Sequence, residues 1–282
     1  MRTLTEKVVV ITGAGSGIGR ALALGAAARG AVLALSDVDA AGLEETADLA
    51  RRQTTREVHT TLLDVRDRAA VHAYAEATQQ HFGRVNVVIN NAGVALHGRF
   101  EETEYEDFEW VMDVDFWGVM HGTKEFLPYL IASGDGHLVN ISSLFGLLGM
   151  PGQTAYNSAK FAVRGLTEAL RQEMLIAGYP VEVTCVHPGG IKTAIARNAR
   201  ATAGEDKQTF ADFFDRKLAR MPAEKAAEVI LAGVLANRPR IVVGTDAKIL
   251  DGVVRLVGAR YQRAVARISS RVMPPRRQRV ER

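Results

Sequence analysis

A single cysteine, Cys185, stands in the 282 residues, so no intrachain disulfide framework exists, which suits a reducing compartment. It lies in the apolar run Val181 to Val186 with no basic neighbour to favour a thiolate, and reads as a buried strand thiol rather than a nucleophile. Aromatic residues make up only 6% and do not interleave with basic ones, which argues against stacking on nucleic-acid bases. No uninterrupted apolar run approaches the ~18 residues needed to span a bilayer. Met1 to Lys7 lack the charged-then-apolar order of an export signal. No histidine–carboxylate group has metal-ligand spacing, so no catalytic metal is expected. These shortages lead to the expectation of a cytoplasmic protein.

What is present is enough for one substantial core: 47% hydrophobic and 24% charged residues. The net charge of +3 hides an asymmetry. From Arg238 onward there are 12 Lys/Arg against 3 Asp/Glu, a balance of +9, so the remainder is acidic. The basic character belongs to the C-terminal segment.

Short apolar runs alternate with helical patterns. The expected strands are Lys7–Thr12, Ala31–Ser36, Val58–Leu63, Asn86–Asn90, His137–Ser142, Val181–Val186 and Ile241–Val243. The expected helices are Gly17–Arg29, Ala40–Gln53, Arg68–Phe82, Tyr105–Ile131, Ala155–Ala177 and Pro222–Ala236. Alternation of this kind predicts an α/β fold, a doubly wound parallel sheet of Rossmann type spanning residues 1–245. Residues 246–282 form a basic amphipathic extension, in which Ile249, Leu250, Val253, Val254, Val257, Tyr261, Val265 and Ile268 recur at helical spacing. It reads as a helix packed on the domain or on a partner subunit with a solvated basic face, or as an attachment to an anionic membrane surface.

Thr12-Gly13-Ala14-Gly15-Ser16-Gly17-Ile18-Gly19 follows the first strand and opens the first helix. Glycines let a backbone approach a pyrophosphate closely, and a helix N-terminus offers free N–H groups and a favourable dipole. Asp37 ends the second strand, where a carboxylate can accept hydrogen bonds from an adenosine ribose; the other reading is a helix cap. The carboxylate would repel a 2′-phosphate, and no Arg or Lys stands beside it or within the glycine turn, so NAD is expected over NADP. Asp64, followed by Val65, comes just after the third strand and could meet the adenine amine, or cap the helix beginning near Asp67.

Tyr156 and Lys160 lie four apart, on one helix face. A phenol ionises near pH ~10, and a positive charge ~5 Å away at an effective dielectric of ~20 favours phenolate by roughly 3 kcal/mol, about two pKa units. Proton exchange with an alcohol at neutral pH is then plausible. Ser143 lies thirteen residues upstream of the tyrosine, with Ser142 as the neighbouring alternative.

Together these residues resemble the short-chain dehydrogenase/reductase family, classical subgroup, over about Lys7 to Val243. The resemblance assigns Thr12 to Gly19 to cofactor binding, and Asn90-Asn91-Ala92-Gly93 to bracing the sheet beside the adenosine. Ser143, Tyr156 and Lys160 match the catalytic residues. Pro188-Gly189-Gly190-Ile191-Lys192-Thr193 is similar to the segment that holds the nicotinamide carboxamide, with Ile191 and Thr193 in contact. It implies hydride transfer between NAD(H) and a small-molecule secondary alcohol or ketone. It also implies a homodimer or homotetramer paired through the two long helices. One position departs from the pattern: Asp115 stands where the family usually has the asparagine of a proton relay. An ionised aspartate cannot donate a hydrogen bond, and its charge would oppose phenolate formation near Lys160.

Candidate substrate contacts are Leu96, His97, the run Phe145 to Met150 and the loop Ala194 to Arg220, including Ile195, Phe210, Phe213 and Phe214. Their apolar character points to a bulky hydrophobic substrate such as a steroid, retinoid or lipid; ordinary core packing is the alternative. His97 is expected as an exposed loop residue. The competing functional reading is a cofactor-binding but non-catalytic regulatory or membrane-surface protein, with peripheral membrane contact through the basic extension.

Overall fold

A computed structural model describes residues 2–205 and 219–270, with 208, 212 and 216 between them. Seven parallel strands stand in the order β11-β7-β6-β4-β1-β2-β3. They are β1 (Val8–Thr12), β2 (Val32–Asp37), β3 (Val58–Leu62), β4 (Val87–Asn90), β6 (Gly136–Ile141), β7 (Val181–Pro188) and β11 (Arg240–Val243). The central strands are buried on both faces, which is why they read as continuous apolar runs rather than alternating ones.

Helices α1 (Gly17–Ala27), α2 (Ala40–Arg51) and α7 (Ala223–Leu235) cover one face. Leu22, Leu33, Leu43 and Leu231 close that core, and Gly25 of α1 admits Leu231 of α7. The other face carries α3 (Arg68–Phe82), α4 (Tyr105–Met112), α5 (Gly118–Ala132) and α6 (Thr154–Ala177), packed around Val88, Phe126 and Leu138. Each large aliphatic side chain withdrawn from water this way contributes roughly 1.5–3 kcal/mol.

The register sets the site. Ile11 pairs with both Leu35 and Ile89, Asn90 with Asn140, and Ile141 with Val186. The carboxyl ends of β1, β2, β4, β6 and β7 therefore share one edge. There the strand order reverses about β1, the crevice where doubly wound sheets bind ligands. The glycine turn, Asp37, Asn91, Ser143 and Pro188 all leave the sheet at that edge.

Three expectations change. The span Tyr105–Ile131 is interrupted: α4 and α5 are separated by a π-turn over Asp113–Trp117, where the Gly118 N–H reaches back to the Asp113 carbonyl. The C-terminal periodicity breaks at Gly258 into α8 (Thr245–Val257) and α9 (Tyr261–Ser269). Two-residue strands also form, β5 (Leu96–His97) on β9 (Arg200–Ala201) and β8 (Ile191–Lys192) on β10 (Met221–Pro222). Such short pairings leave no periodic signal in a sequence.

Candidate active site

The glycine turn is clamped from the β4 side. The Asn91 and Ala92 amides donate to Thr12 Oγ1, and Asn91 Nδ2 donates to the Thr12 and Gly13 carbonyls. A Cβ on Gly13 would stand 2.7 Å from Ala92 Cα, and Gly13 holds φ +65°, so glycine is required twice over. Ser16 caps α1 in extended conformation without using its side chain, which leaves the first-turn N–H groups to an incoming anion. Opposite, Thr193 lies against Gly17 and bounds a cavity of about 290 Å³ with Arg20, Lys192 and Arg197. These donors and the Cβ-free turn fit a dinucleotide pyrophosphate.

Asp37 does not cap a helix. Its Oδ2 accepts the Gly15 N–H at 2.7 Å and its Oδ1 accepts the Asp39 N–H, so the carboxylate is fixed beside the turn. Arg20, immediately after the turn, is committed elsewhere, to the Gly15 carbonyl at 2.6 Å, Glu45 at 2.6 Å and Thr46. Asp64 caps no helix either; its Oδ1 accepts the Arg66 N–H at 3.0 Å. Arg66 pairs with it at 2.6 Å and draws its carboxyl below the ordinary range, while Asp67 itself caps α3 through the Ala69 and Ala70 amides. Val65 is buried against Gly118 of α5.

On the other side of the crevice, the two serines separate by role. Ser142 Oγ donates to the Lys160 carbonyl at 2.8 Å and is consumed in packing. Ser143 Oγ accepts the Phe145 N–H and lies within hydrogen-bonding reach of the Tyr156 phenol. Beneath it His187, fully buried, is hydrogen-bonded through Nδ1 to the Ser143 carbonyl at 2.9 Å, and burial pushes its pKa down to about 4. A neutral His187 donating through Nδ1 braces the serine backbone, a support that sequence spacing did not reveal.

Lys160 Nζ sits 5.5 Å from the Tyr156 ring centroid and 3.3 Å from Asp115 Oδ2. Asp115 is 0% exposed; its Oδ1 accepts the Val94 N–H at 2.7 Å, and among the described residues Oδ2 accepts no hydrogen bond and faces the Lys160 ammonium. This carboxylate belongs to the π-turn over Asp113–Trp117. Asp115 therefore both occupies the helix irregularity and meets Lys160.

The electrostatics correct one expectation. In the ligand-free chain the Tyr156 phenol lies above its ordinary value: burial raises it most, Lys160 lowers it, Asp115 raises it further and Ser143 lowers it. Lysine alone does not bring the phenol toward neutrality, because desolvation and Asp115 outweigh it. Burial pulls the Lys160 ammonium down, but Asp115 and Tyr156 outweigh that and hold it above its usual value, firmly charged. Asp115 is raised by burial despite Lys160 and the Val94 amide.

The proposed substrate wall divides. Phe145 stands edge-on to Tyr156, with ring centroids 6.2 Å apart. Leu147 and Leu148 instead pack with Leu144 against Ala247 of α8, as ordinary core. Leu96 is buried beside Ala155 and Ala159. His97 is not exposed: it is 8% accessible and stands 3.2 Å from Gln153, because the β5–β9 ribbon and the start of α6 enclose it. Phe210, Phe213 and Phe214 lie outside the described residues. Cys185 is buried and its thiol pushed up to about 12 by desolvation, in keeping with a strand thiol.

Metal-ligand spacing, missing along the chain, does arise in space. Donor atoms of Glu57, His59 and His81 come within 4.8 Å of one another. They stand at the start of β3 and the last turn of α3, the strand end opposite the crevice. Among the described residues no helix is long and apolar enough to cross a membrane.

The short chain dehydrogenase family model matches residues 7–204. A Mycobacterium tuberculosis protein named only as an oxidoreductase, SadH, is 59% identical over 266 residues, covering 94% of this chain and 96% of its own. Levodione reductase from Leifsonia aquatica is 38% identical over 199 residues, covering 69% of this chain and 73% of its own. Among solved structures, a short chain dehydrogenase/reductase from Burkholderia phymatum in complex with NAD superposes with a TM-score of 0.80 at 34% identity, over 86% of this chain and 90% of that one. An alcohol dehydrogenase from Thermococcus sibiricus complexed with 5-hydroxy-NADP superposes with a TM-score of 0.72 at 27% identity, over 84% and 96%. The bound dinucleotide therefore differs between these two structures.

Proposed function

Because this chain belongs to the short-chain dehydrogenase/reductase family, we propose that it is an NAD(H)-dependent oxidoreductase acting on a bulky, hydrophobic secondary alcohol or ketone. The observation that carries the proposal is the convergence of Ser143, Tyr156 and the charged Lys160 at the sheet edge that also holds the glycine turn. Thr12 to Gly19, Asn91 to Gly93, Asp64 and Val65 would hold the adenosine and pyrophosphate half, with Asp37 on the ribose. Pro188, Gly189, Ile191 and Thr193 would hold the nicotinamide half. The bound nicotinamide supplies hydride transfer, and its oxidised form adds the positive charge that the buried phenol needs.

Tyr156 takes the alcohol proton in oxidation and returns it in reduction. Ser143 donates to the substrate oxygen and holds its developing charge. Lys160 stabilises the phenolate and binds the nicotinamide ribose. Phe145, edge-on to the Tyr156 ring, favours a hydrophobic substrate. A panel of steroids, retinoids, lipid alcohols, short diols and sugars, offered with NAD and NADP, tests the reading by the change in NADH absorbance. Turnover confined to small polar members would overturn the substrate class.

Asp37 sets the cofactor preference. With its carboxylate fixed on Gly15, a 2′-phosphate meets a negative charge, and the nearby Arg20 is spent on Glu45. Asp37→Ala should narrow the NAD over NADP preference in kcat/KM tenfold or more, about 1.4 kcal/mol. An unchanged ratio, or a wild-type enzyme that uses NADP equally well, argues against the assignment.

Asp115 should set the alkaline side of the profile. Its charge raises the phenol, so Asp115→Asn should move the midpoint of the rising limb of kcat/KM for oxidation downward, by up to about one pH unit. A profile left in place at full activity would remove the electrostatic role.

Pairing of two copies is part of the same proposal. Trp117 of the π-turn and Phe161 of α6 are 44% and 42% exposed on the long-helix face, apolar surface that a second copy would cover.

A further inference from the structure

The two C-terminal helices leave an apolar stripe uncovered at the mouth of the crevice. α8 follows the carboxyl end of β11 and so lies on the same edge as the site. Its inner face, Ala247 and Val254, packs on Leu144, Leu147 and Leu148. Its outer face carries Ile249, Val253 and Leu256, at helical spacing and 60%, 44% and 88% exposed. On α9 Ile268 is 66% exposed, and Arg260, Arg263 and Arg267 are all at the surface. The acidic groups nearby are engaged: Asp251 holds Arg255 at 2.9 Å, and Asp246 accepts the Gly190 N–H. α9 itself contains no acidic residue.

We propose that α8 and α9 dock on the surface of an anionic lipid bilayer. The apolar stripe enters the boundary between headgroups and acyl chains, and the arginines meet lipid phosphates. Two copies paired face to face through this surface suit it less well, because they would set arginine against arginine, with Asp251 already engaged by Arg255 and Asp246 by the Gly190 N–H.

The docking element is tied to the catalytic segment. Tyr261, the first residue of α9, accepts the Gly149 N–H through its Oη at 2.8 Å. The same segment is held from the catalytic helix, where Asn157 donates to the Phe145 and Leu148 carbonyls and accepts the Met150 N–H. Residues 144–150, with Phe145 against Tyr156, are thus gripped between the lipid-facing helix and the helix of the proton-transferring residue. The bilayer is then both the anchor and the source of a hydrophobic substrate. The substrate clause rests on the oxidoreductase reading; the docking does not.

The test uses the full chain with vesicles of phosphatidylcholine alone or with roughly one third phosphatidylglycerol. The protein should sediment with the anionic vesicles at low salt, stay in solution with the neutral ones, and be released as salt rises. Arg260→Gln, Arg263→Gln and Arg267→Gln should each weaken partitioning about fivefold, and together about a hundredfold. Leu256→Asp should remove sedimentation while NADH binding, read by fluorescence, is retained. On docking, amide exchange across 144–150 should slow; Tyr261→Phe should keep the docking but lose that slowing. Equal recovery in the supernatant with and without anionic vesicles overturns the proposal. So does a dimer that Leu256→Asp dissociates in the absence of any vesicle binding, which would give the stripe to a second copy. Failure of NADH binding would instead count against the oxidoreductase reading and leave the docking result standing.

Discussion

Tyr156→Phe should abolish turnover and leave NAD affinity nearly unchanged. The substitution keeps the ring, so its edge contact with Phe145 and the aromatic face near Lys160 remain. Only the hydroxyl that reaches Ser143 is lost. A positioned proton donor or acceptor contributes a factor of about 10²–10⁴. Among the described residues no other titratable side chain is placed to substitute for it: Lys160 is held charged beside Asp115, and His187 is neutral and turned to the Ser143 backbone. The measurement is kcat alongside NADH binding by fluorescence. Retention of more than a few per cent of kcat would reassign the proton transfer. Loss of cofactor affinity equal to the loss of rate would mean that the ring, rather than the hydroxyl, was the functional part.

Lys160→Ala should be the most disruptive single change at the site, with consequences for both stability and rate. Asp115 is wholly buried and Lys160 is its cation, 3.3 Å away. Removing one partner of a buried pair costs about 3–5 kcal/mol, because the remaining charge has neither water nor counterion. Burial already holds the Asp115 carboxyl above its usual range, and loss of the ammonium raises it further. A carboxyl whose folded-state pKa is raised above the unfolded value favours folding at low pH and loses that contribution as pH rises. The Lys160→Ala defect should therefore be smaller near pH 5 than near pH 8. Adding Asp115→Asn should recover most of the lost stability, since an amide needs no counterion. It should not restore turnover, because the phenol still lacks its cation, nor the cofactor affinity lost with the ammonium. Urea midpoints for the four members of this cycle at the two pH values decide the matter. Strictly additive losses would show that the two side chains do not couple.

Much of the site was legible because it depends on short-range chemistry. The glycine turn carries its own backbone demand, at Gly13 above all, and the strand and helix on either side of it are apolar patterns of a few residues. Tyr156 and Lys160 share a helix face by spacing alone. The doubly wound sheet followed from the alternation of those patterns, with element ends off by no more than two residues. The serine was narrowed to two neighbours, and hydrogen bonding to the Lys160 carbonyl then removed Ser142.

What the amino-acid sequence determined by itself was the order of elements, the crevice at the glycine turn and the residues proposed for cofactor binding and proton transfer. These are encoded by residues near one another in the chain, through periodicity, backbone freedom and helix spacing. Tertiary structure decided where charges and polar groups separated in sequence meet. It brought Asp115 to Lys160 across 45 positions through a π-turn that a smooth helical pattern concealed. It enclosed His97 with Gln153, bound Arg20 to Glu45, and joined Tyr261 to Gly149. It also set the direction of the Tyr156 shift, since one nearby lysine favours phenolate in any sequence, whereas desolvation and an opposing carboxylate exist only once the chain has folded around them.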